Sequence, residues 1–294
     1  MFARSIKAQQ KLSTASIRRF TAAAAATPQM GHLGKFLSGK AALVTGSTSG
    51  IGLGIAKTLA SHGCNITLNG FGKPEEIEAI KKSIASEYGV KVDFDGADLS
   101  KPDDIAKMME KVNKNLGVDI LINNAGIQHI SAAKDFPAEM WNKVIDINLN
   151  AVFHTTKAAL PSMLAKGYGR IINISSVHGL VASVNKSAYV ASKHAVMGFT
   201  KAVALETAGT GVTVNAVNPG WVLTPLVQAQ IDLRAQKNGI SVEQARIDLL
   251  SEKQPSKEFA SPEDLGNLVA FLSTPFAKQM TGCAYVMDGG WTAQ

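Results

Sequence analysis

The chain has 294 residues, with 30 Lys and Arg against 23 Asp and Glu and a formal net charge of +7. Residues 1–40 hold seven basic residues (Arg4, Lys7, Lys11, Arg18, Arg19, Lys35 and Lys40) and no acid. The first acid is Glu75, and beyond residue 40 basic and acidic residues balance at 23 each. The overall positive charge therefore does not argue for a nucleic-acid-binding body, which needs its basic excess on a folded face. A membrane span is not expected either, because no stretch approaches roughly 18 uninterrupted apolar residues. Cys64 and Cys283 are too few for a disulfide scaffold and lack metal-ligand spacing, so no metal is expected. Each reads as a small buried apolar residue.

Residues 1–30, rich in Arg, Lys, Ser, Thr and Ala, have the composition of a mitochondrial transit peptide, which predicts a matrix location. Residues 31–39 read as a linker with three glycines. From residue 40 to 294 short β-branched runs alternate with helical patterns. Strands are predicted at 41–45, 65–68, 90–94, 119–122, 170–174, 212–217 and 284–287. Helices are predicted at 51–62, 74–88, 102–116, 140–166 and 188–207, around 225–250, and at 262–272. Strand-helix alternation of this kind specifies an α/β fold, a single doubly wound parallel sheet of about seven strands with helices on both faces.

The first strand runs into Thr45-Gly46-Ser47-Thr48-Ser49-Gly50-Ile51-Gly52. Gly46 permits a tight turn, while Gly50 and Gly52 remove side chains where backbone would approach a pyrophosphate at a helix N-terminus. Further along stand Asn123-Asn124-Ala125-Gly126 after the fourth strand, Asn148 in the long helix, and Ser176 after the fifth strand. Tyr189 and Lys193 are four residues apart on one helical face, and Asn218-Pro219-Gly220 follows the sixth strand. In this order and register the chain resembles the short-chain dehydrogenase/reductase family from about residue 40 to the end. The resemblance implies a Rossmann-type fold, a nicotinamide cofactor and a catalytic tetrad of Asn148, Ser176, Tyr189 and Lys193.

The residue types suit proton transfer. A free tyrosine has a pKa near 10, and a nearby ammonium together with the positive nicotinamide favours the phenolate. Tyr189 then takes the proton from a substrate hydroxyl while hydride leaves its carbon. Ser176 hydrogen-bonds the same oxygen. By resemblance, Asn148 holds a water linking Lys193 to solvent. The cofactor is expected to meet Gly46, Thr48, Ser49, Gly50, Ile51, Gly52, Phe71, Asp98, Leu99, Asn124, Ala125, Gly126, Tyr189, Lys193, Pro219, Gly220, Val222 and Thr224. The end of the second strand, Asn69-Gly70-Phe71-Gly72-Lys73, carries no acid, and no cation stands within Ser47-Thr48-Ser49. NAD is therefore expected, with Lys73 keeping NADP open.

Gln128, His178 and Lys186 fall outside the carboxyl ends of the central strands, where ligands of such sheets bind; Gln230, in the helix after Pro225, is expected to close down as part of a lid, and Trp221 completes a small polar pocket. A cation with hydrogen-bond donors near the reacting hydroxyl points to a carboxylate. Segments 126–129, 176–180, 219–227 and 252–256 are similar to bacterial-type D-3-hydroxybutyrate dehydrogenases. That resemblance implies a carboxylate held by Gln128, His178, Lys186 and Gln230, with Ser176, Tyr189 and Trp221 completing the substrate site. It also implies NAD as cofactor. The expected reaction interconverts (R)-3-hydroxybutyrate and acetoacetate, in a homotetramer. An NADP-dependent 3-oxoacyl reductase and a catalytically silent nucleotide-binding subunit are the alternatives.

Overall fold

The computed structural model describes residues 34–294, so the expected transit peptide, 1–30, lies outside the described residues. Seven strands form one sheet in the order β3-β2-β1-β4-β5-β6-β7. They are β1 Ala41–Val44, β2 Asn65–Asn69, β3 Val92–Asp95, β4 Ile120–Asn123, β5 Gly169–Ile174, β6 Val212–Pro219 and β7 Ala284–Met287. Every neighbouring pair is parallel. The order reverses between β1 and β4, which opens a crevice at the carboxyl ends of these two strands.

The connecting helices are α1 Gly50–Ser61, α2 Pro74–Tyr88, α3 Pro102–Asn115, α4 Ala138–Ile145, α5 Ala151–Lys166, α6 Ser187–Glu206, α7 Pro225–Asn238, α8 Val242–Ser251 and α9 Pro262–Leu272. Proline begins α2, α3, α7 and α9, where its missing N–H costs nothing. Successive strand residues point to opposite faces, and both faces are covered. Ala42, Val44, Ile120, Ile122, Ile172 and Ile174 pack with Ile55 and Leu59 of α1, Ile84 of α2, and Leu265 and Val269 of α9. Leu43, Leu121 and Ile171 pack on the other face with Met108 and Val112 of α3, Met163 of α5 and Val203 of α6. Burial on both faces explains why these strands are continuous apolar runs.

Four sequence expectations are adjusted. The third strand runs from Val92 to Asp95, in register with Ile66 to Asn69, not over 90–94. The linker of 31–39 is in part folded: Leu37 is buried, its N–H donates to the His62 carbonyl at 3.0 Å, and Phe36 lies against the His62 ring at 4.1 Å. The compact unit accordingly runs from Lys35 to Gln294. The long helix predicted at 140–166 is interrupted by a π-turn at Asp146–Asn150. Finally, Cys64 is buried as expected but Cys283 is exposed.

Candidate active site

The glycine-rich turn between β1 and α1 is held by its own hydrogen bonds. Asn69, at the end of β2 and fully buried, accepts from the Gly46 N–H at 3.3 Å and donates to the carbonyls of Asp95 and Ala97. Asn124 donates to the carbonyls of Thr45 and Gly46, both at 2.9 Å. The Thr45 hydroxyl accepts from the N–H groups of Asn124 and Ala125. Thr48 donates to the Phe71 carbonyl at 2.9 Å.

Two glycines are dictated by this geometry. Gly46 has φ +60°, and a Cβ there would stand 2.9 Å from the Ala125 Cα. A Cβ at Gly52 would meet the Gly46 carbonyl oxygen at 2.3 Å and the Asn124 amide at 2.5 Å. Gly52 therefore serves the approach of α1 to the turn, rather than only an approach to pyrophosphate. Ser49 at the N-cap makes no side-chain capping bond and the first turn of α1 carries no acid. Its donors thus fit an anion such as a dinucleotide pyrophosphate. Thr224 flanks the other side: a Cβ at Gly50 would lie 3.6 Å from its Cγ2, and its hydroxyl caps α7.

The other residues expected at the cofactor divide between lining and support. Phe71 is exposed, while Leu99 and Val222 are buried. Asp98 accepts from the backbone N–H and hydroxyl of Ser100, which holds its carboxyl below the usual range. Gly220 follows β6 against Gln254, whose side-chain oxygen accepts from the Trp221 N–H at 2.9 Å.

The tetrad converges at the carboxyl ends of β4 and β5. The π-turn sets Asn148 inward, fully buried. Its oxygen accepts from the Ile127 N–H at 2.8 Å, and its amide donates to the Ile127 carbonyl at 2.9 Å and to Ser192 Oγ at 3.2 Å. Asn148 is thus a clamp between the loop after β4 and α6, with both amide protons engaged. Lys193, buried, donates to the Ile174 carbonyl at 2.7 Å and stands 5.6 Å from the Tyr189 ring centroid. Burial lowers its pKa to about 8. Burial raises that of Tyr189, partly offset by a hydrogen bond from Ser176. A Cβ at Gly126 would be 3.3 Å from Asn148 Oδ1 and 3.7 Å from Lys193 Nζ, so this loop closes directly over the tetrad.

His178 sits in a 3₁₀ turn after Ser176. Its ring meets Tyr189 edge-on at 5.9 Å and Trp291 at 5.5 Å. Its Nδ1 is 3.3 Å from Ser176 Oγ and its Nε2 is 2.8 Å from Ser183 Oγ. Burial, reinforced by the Lys186 and His194 charges, lowers its pKa to about 4, so the ring is neutral. Lys186, whose pKa burial also lowers, lies 6.0 Å over the Trp221 ring. Among the described residues its ammonium makes no hydrogen bond or ion pair. Trp221 Nε1 is buried with no acceptor among the described residues. Gln128 and Gln230 are exposed, and among the described residues neither side chain bonds to the tetrad.

Sequence reasoning missed Trp291, Asp288, Ser183 and the buried Gln254. Trp291 stacks at 6.2 Å on Trp221 and is carried by a turn in which Asp288 accepts from Gly290 N–H, Thr292 N–H and the Thr292 hydroxyl. The Asp288-Gly289-Gly290 run is a turn signal that sequence alone offers.

The family model described as short chain dehydrogenase matches residues 40–234. A protein of Cupriavidus necator named D-beta-hydroxybutyrate dehydrogenase is 58% identical over 260 residues, covering 88% of this chain and 100% of that protein. One of the same name in Rhizobium meliloti is 52% identical over 256 residues, covering 87% and 99%. Among solved structures, L-sorbose reductase from Gluconobacter frateurii, complexed with NADPH and L-sorbose, superposes with a TM-score of 0.84 at 32% identity. That match covers 87% of this chain and 98% of that one. These relatives correct the expected mitochondrial matrix location, because they are bacterial enzymes whose whole length is matched within this chain.

Proposed function

The chain belongs to the short-chain dehydrogenase family, and from that membership and its site geometry we propose that it interconverts (R)-3-hydroxybutyrate and acetoacetate with NAD. The observation that carries the substrate reading is the Lys186 ammonium. It has no counter-charge among the described residues, beside the His178, Trp221 and Trp291 rings that adjoin Tyr189. A substrate carboxylate supplies the missing charge. The high identity to proteins named D-beta-hydroxybutyrate dehydrogenase favours a short hydroxy acid over a 3-oxoacyl thioester. Gln128 and Gln230, both exposed, supply further donors to the carboxylate when α7 closes. The intact proton-transfer residues argue against a catalytically silent subunit.

When bound, the nicotinamide nucleotide supplies the hydride acceptor. The turn over Gly46 to Gly52 and the open N-terminus of α1 hold its pyrophosphate. Tyr189 takes the hydroxyl proton of the substrate during oxidation and returns it during reduction. Ser176 hydrogen-bonds the same oxygen and stabilises its developing charge. The Lys193 cation, close to the phenol ring, favours the phenolate, while Asn148 keeps the flanking loop and α6 in register.

For the cofactor, Asn69 is committed to the turn, and Lys73 is shared with Glu76 at 3.7 Å on the surface. This leaves a 2′-phosphate poorly served and supports NAD. The region 40–294 acts as one catalytic domain. A homotetramer is supported by the exposed apolar side chains Phe153 and Leu164 of α5 and Phe276 and Val286 near β7, and sedimentation equilibrium tests it. The enzymatic test offers the full chain (R)- or (S)-3-hydroxybutyrate with NAD or NADP and follows nicotinamide reduction. Turnover of the R acid with NAD is expected, and none with either cofactor overturns the reading.

A further inference from the structure

We propose that Gln254 is a positioning residue whose single buried amide clasps the two stems of the α7–α8 lobe and thereby sets Trp221 against Trp291 beside the substrate. The lobe leaves the body after β6 at residues 220–224 and returns at 252–260. Its two helices pack on each other around Ile231, Ala235 and Ala245, apart from the two clusters that flank the sheet. How the stems are tied therefore decides how firmly the lobe is held. The backbone joins them in a parallel bridge of Val222 to Ala260. There the Ala260 N–H donates to the Trp221 carbonyl at 3.0 Å, and the Leu223 N–H to the Ala260 carbonyl at 3.1 Å.

Gln254 adds a second tie. Residues 251–253 and 255–258 are exposed, whereas Gln254 is only 2% exposed. Its Oε1 accepts from the Trp221 N–H at 2.9 Å, and its Nε2 donates to the Glu258 carbonyl. A backbone N–H can only donate and a carbonyl only accept, so the two partners fix the amide in one orientation. An ionised glutamate would lack the donor, and methionine would lack both groups. The same side chain is wedged against the C-terminal turn. A Cβ at Gly220 would lie 2.7 Å from its Oε1, and one at Gly289 would lie 2.7 Å from its Cγ. Around it the Ser256 N–H donates to the Gly289 carbonyl at 2.9 Å, and the Gln294 amide donates to the Lys253 carbonyl at 3.2 Å. Gln254 thus stands between the backbone that carries Trp221 and the turn that carries Trp291. Those rings stack at 6.2 Å, with Lys186 over the first and His178 edge-on to the second. A stem released from Gln254 would carry Trp221 away from that group. The kinetic part of this inference rests on the dehydrogenase reading above, but the clasp does not.

The test has two arms on the full chain. In hydrogen exchange, Gln254→Met should speed exchange of the amides of residues 225–251 about five- to thirty-fold, the size of one or two lost neutral hydrogen bonds. Amides of β4 and β5 should keep wild-type rates. In the kinetic arm the same variant should raise KM for (R)-3-hydroxybutyrate about five- to ten-fold with kcat within about twofold, because ordering the lobe serves ground and transition states alike. NADH affinity should be unchanged. Gln254→Glu keeps an acceptor for the Trp221 N–H, so it should loosen the lobe but raise KM less. Wild-type exchange over 225–251 in both variants overturns the proposal. So does faster exchange spread through β4 and β5, which would make Gln254 a residue of general stability only. A KM rise as large in Gln254→Glu as in Gln254→Met, or no rise in either, would detach Trp221 from the clasp and overturn it as well. A wild type without turnover would instead defeat the dehydrogenase reading, and the exchange arm would still decide the clasp.

Discussion

The two sides of the cleft differ in how they treat their polar groups. On the nucleotide side, Asn69, Thr45 and Asn124 spend their side chains on the turn itself. What remains open there is backbone at the start of α1. On the substrate side, the Lys186 ammonium, over the Trp221 ring, makes no hydrogen bond or ion pair and Trp221 Nε1 has no acceptor among the described residues, and α7 and α8 rest on a small core of Ile231, Ala235 and Ala245. The first side is preorganised, so little ordering is left for binding to bring about. In the proposed function an anion completes the second. The proposed function thus places discrimination among substrates on the side with uncompensated polar groups.

Removing the chemistry while leaving both sides intact sets the upper limit of effect. Tyr189→Phe should lower kcat about 10³-fold, within the usual worth of a positioned proton-transfer group, with NADH affinity unchanged by fluorescence titration. A variant retaining a tenth of wild-type turnover would remove Tyr189 from that role. Gly52→Ala attacks the preorganised side. Its methyl would sit 2.3 Å from a backbone oxygen that cannot move, so a loss of about 1–3 kcal/mol of stability is expected, together with weaker dinucleotide binding. Urea unfolding and titration read both, and wild-type values in each would mean that the turn yields easily.

How much of this contrast sequence could carry depended on the range of the interactions. The preorganised side is built at strand ends with glycines and asparagines in fixed order, so Gly46 and Gly52 stood out in the strand-turn-helix pattern, while Asn124 and the tetrad were named through the family resemblance. The substrate side is assembled by contacts without local pattern. Trp291 reaches His178 across more than a hundred residues, and Ser183 finds it through a loop containing Asn185 at φ +63°. The π-turn was illegible for another reason. Its sequence, Asp146-Ile147-Asn148-Leu149-Asn150, has ordinary helical apolar spacing. It is the demand of Asn148 for partners at Ile127 and Ser192 that widens the turn, and such insertions gather at functional sites.

Lys186→Ala breaks the unsatisfied side. It removes a charge-assisted partner present equally in ground and transition states, so KM for (R)-3-hydroxybutyrate should rise about 10–100-fold with kcat little changed. Because the ammonium has nothing to release inside the protein, stability should not fall, which separates it from Gly52→Ala. An unchanged KM would show that the carboxylate is held elsewhere.

The smallest effect concerns the border between the two sides. His178 is packed among Tyr189, Trp291, Ser176 and Ser183, with the Lys186 and His194 charges disfavouring its proton. Its pKa is about 4 in the folded chain, against about 6.5 when unfolded. Between these values the unfolded state holds more protons, so stability is intact above the unfolded value and declines as pH falls toward the folded one. The loss between pH 7 and pH 5 should be on the order of 1–2 kcal/mol by urea unfolding, and His178→Asn should remove most of it. If wild type and variant lose stability equally, the ring takes a proton as readily in the folded chain as outside it. The border would then be wetter than its packing implies.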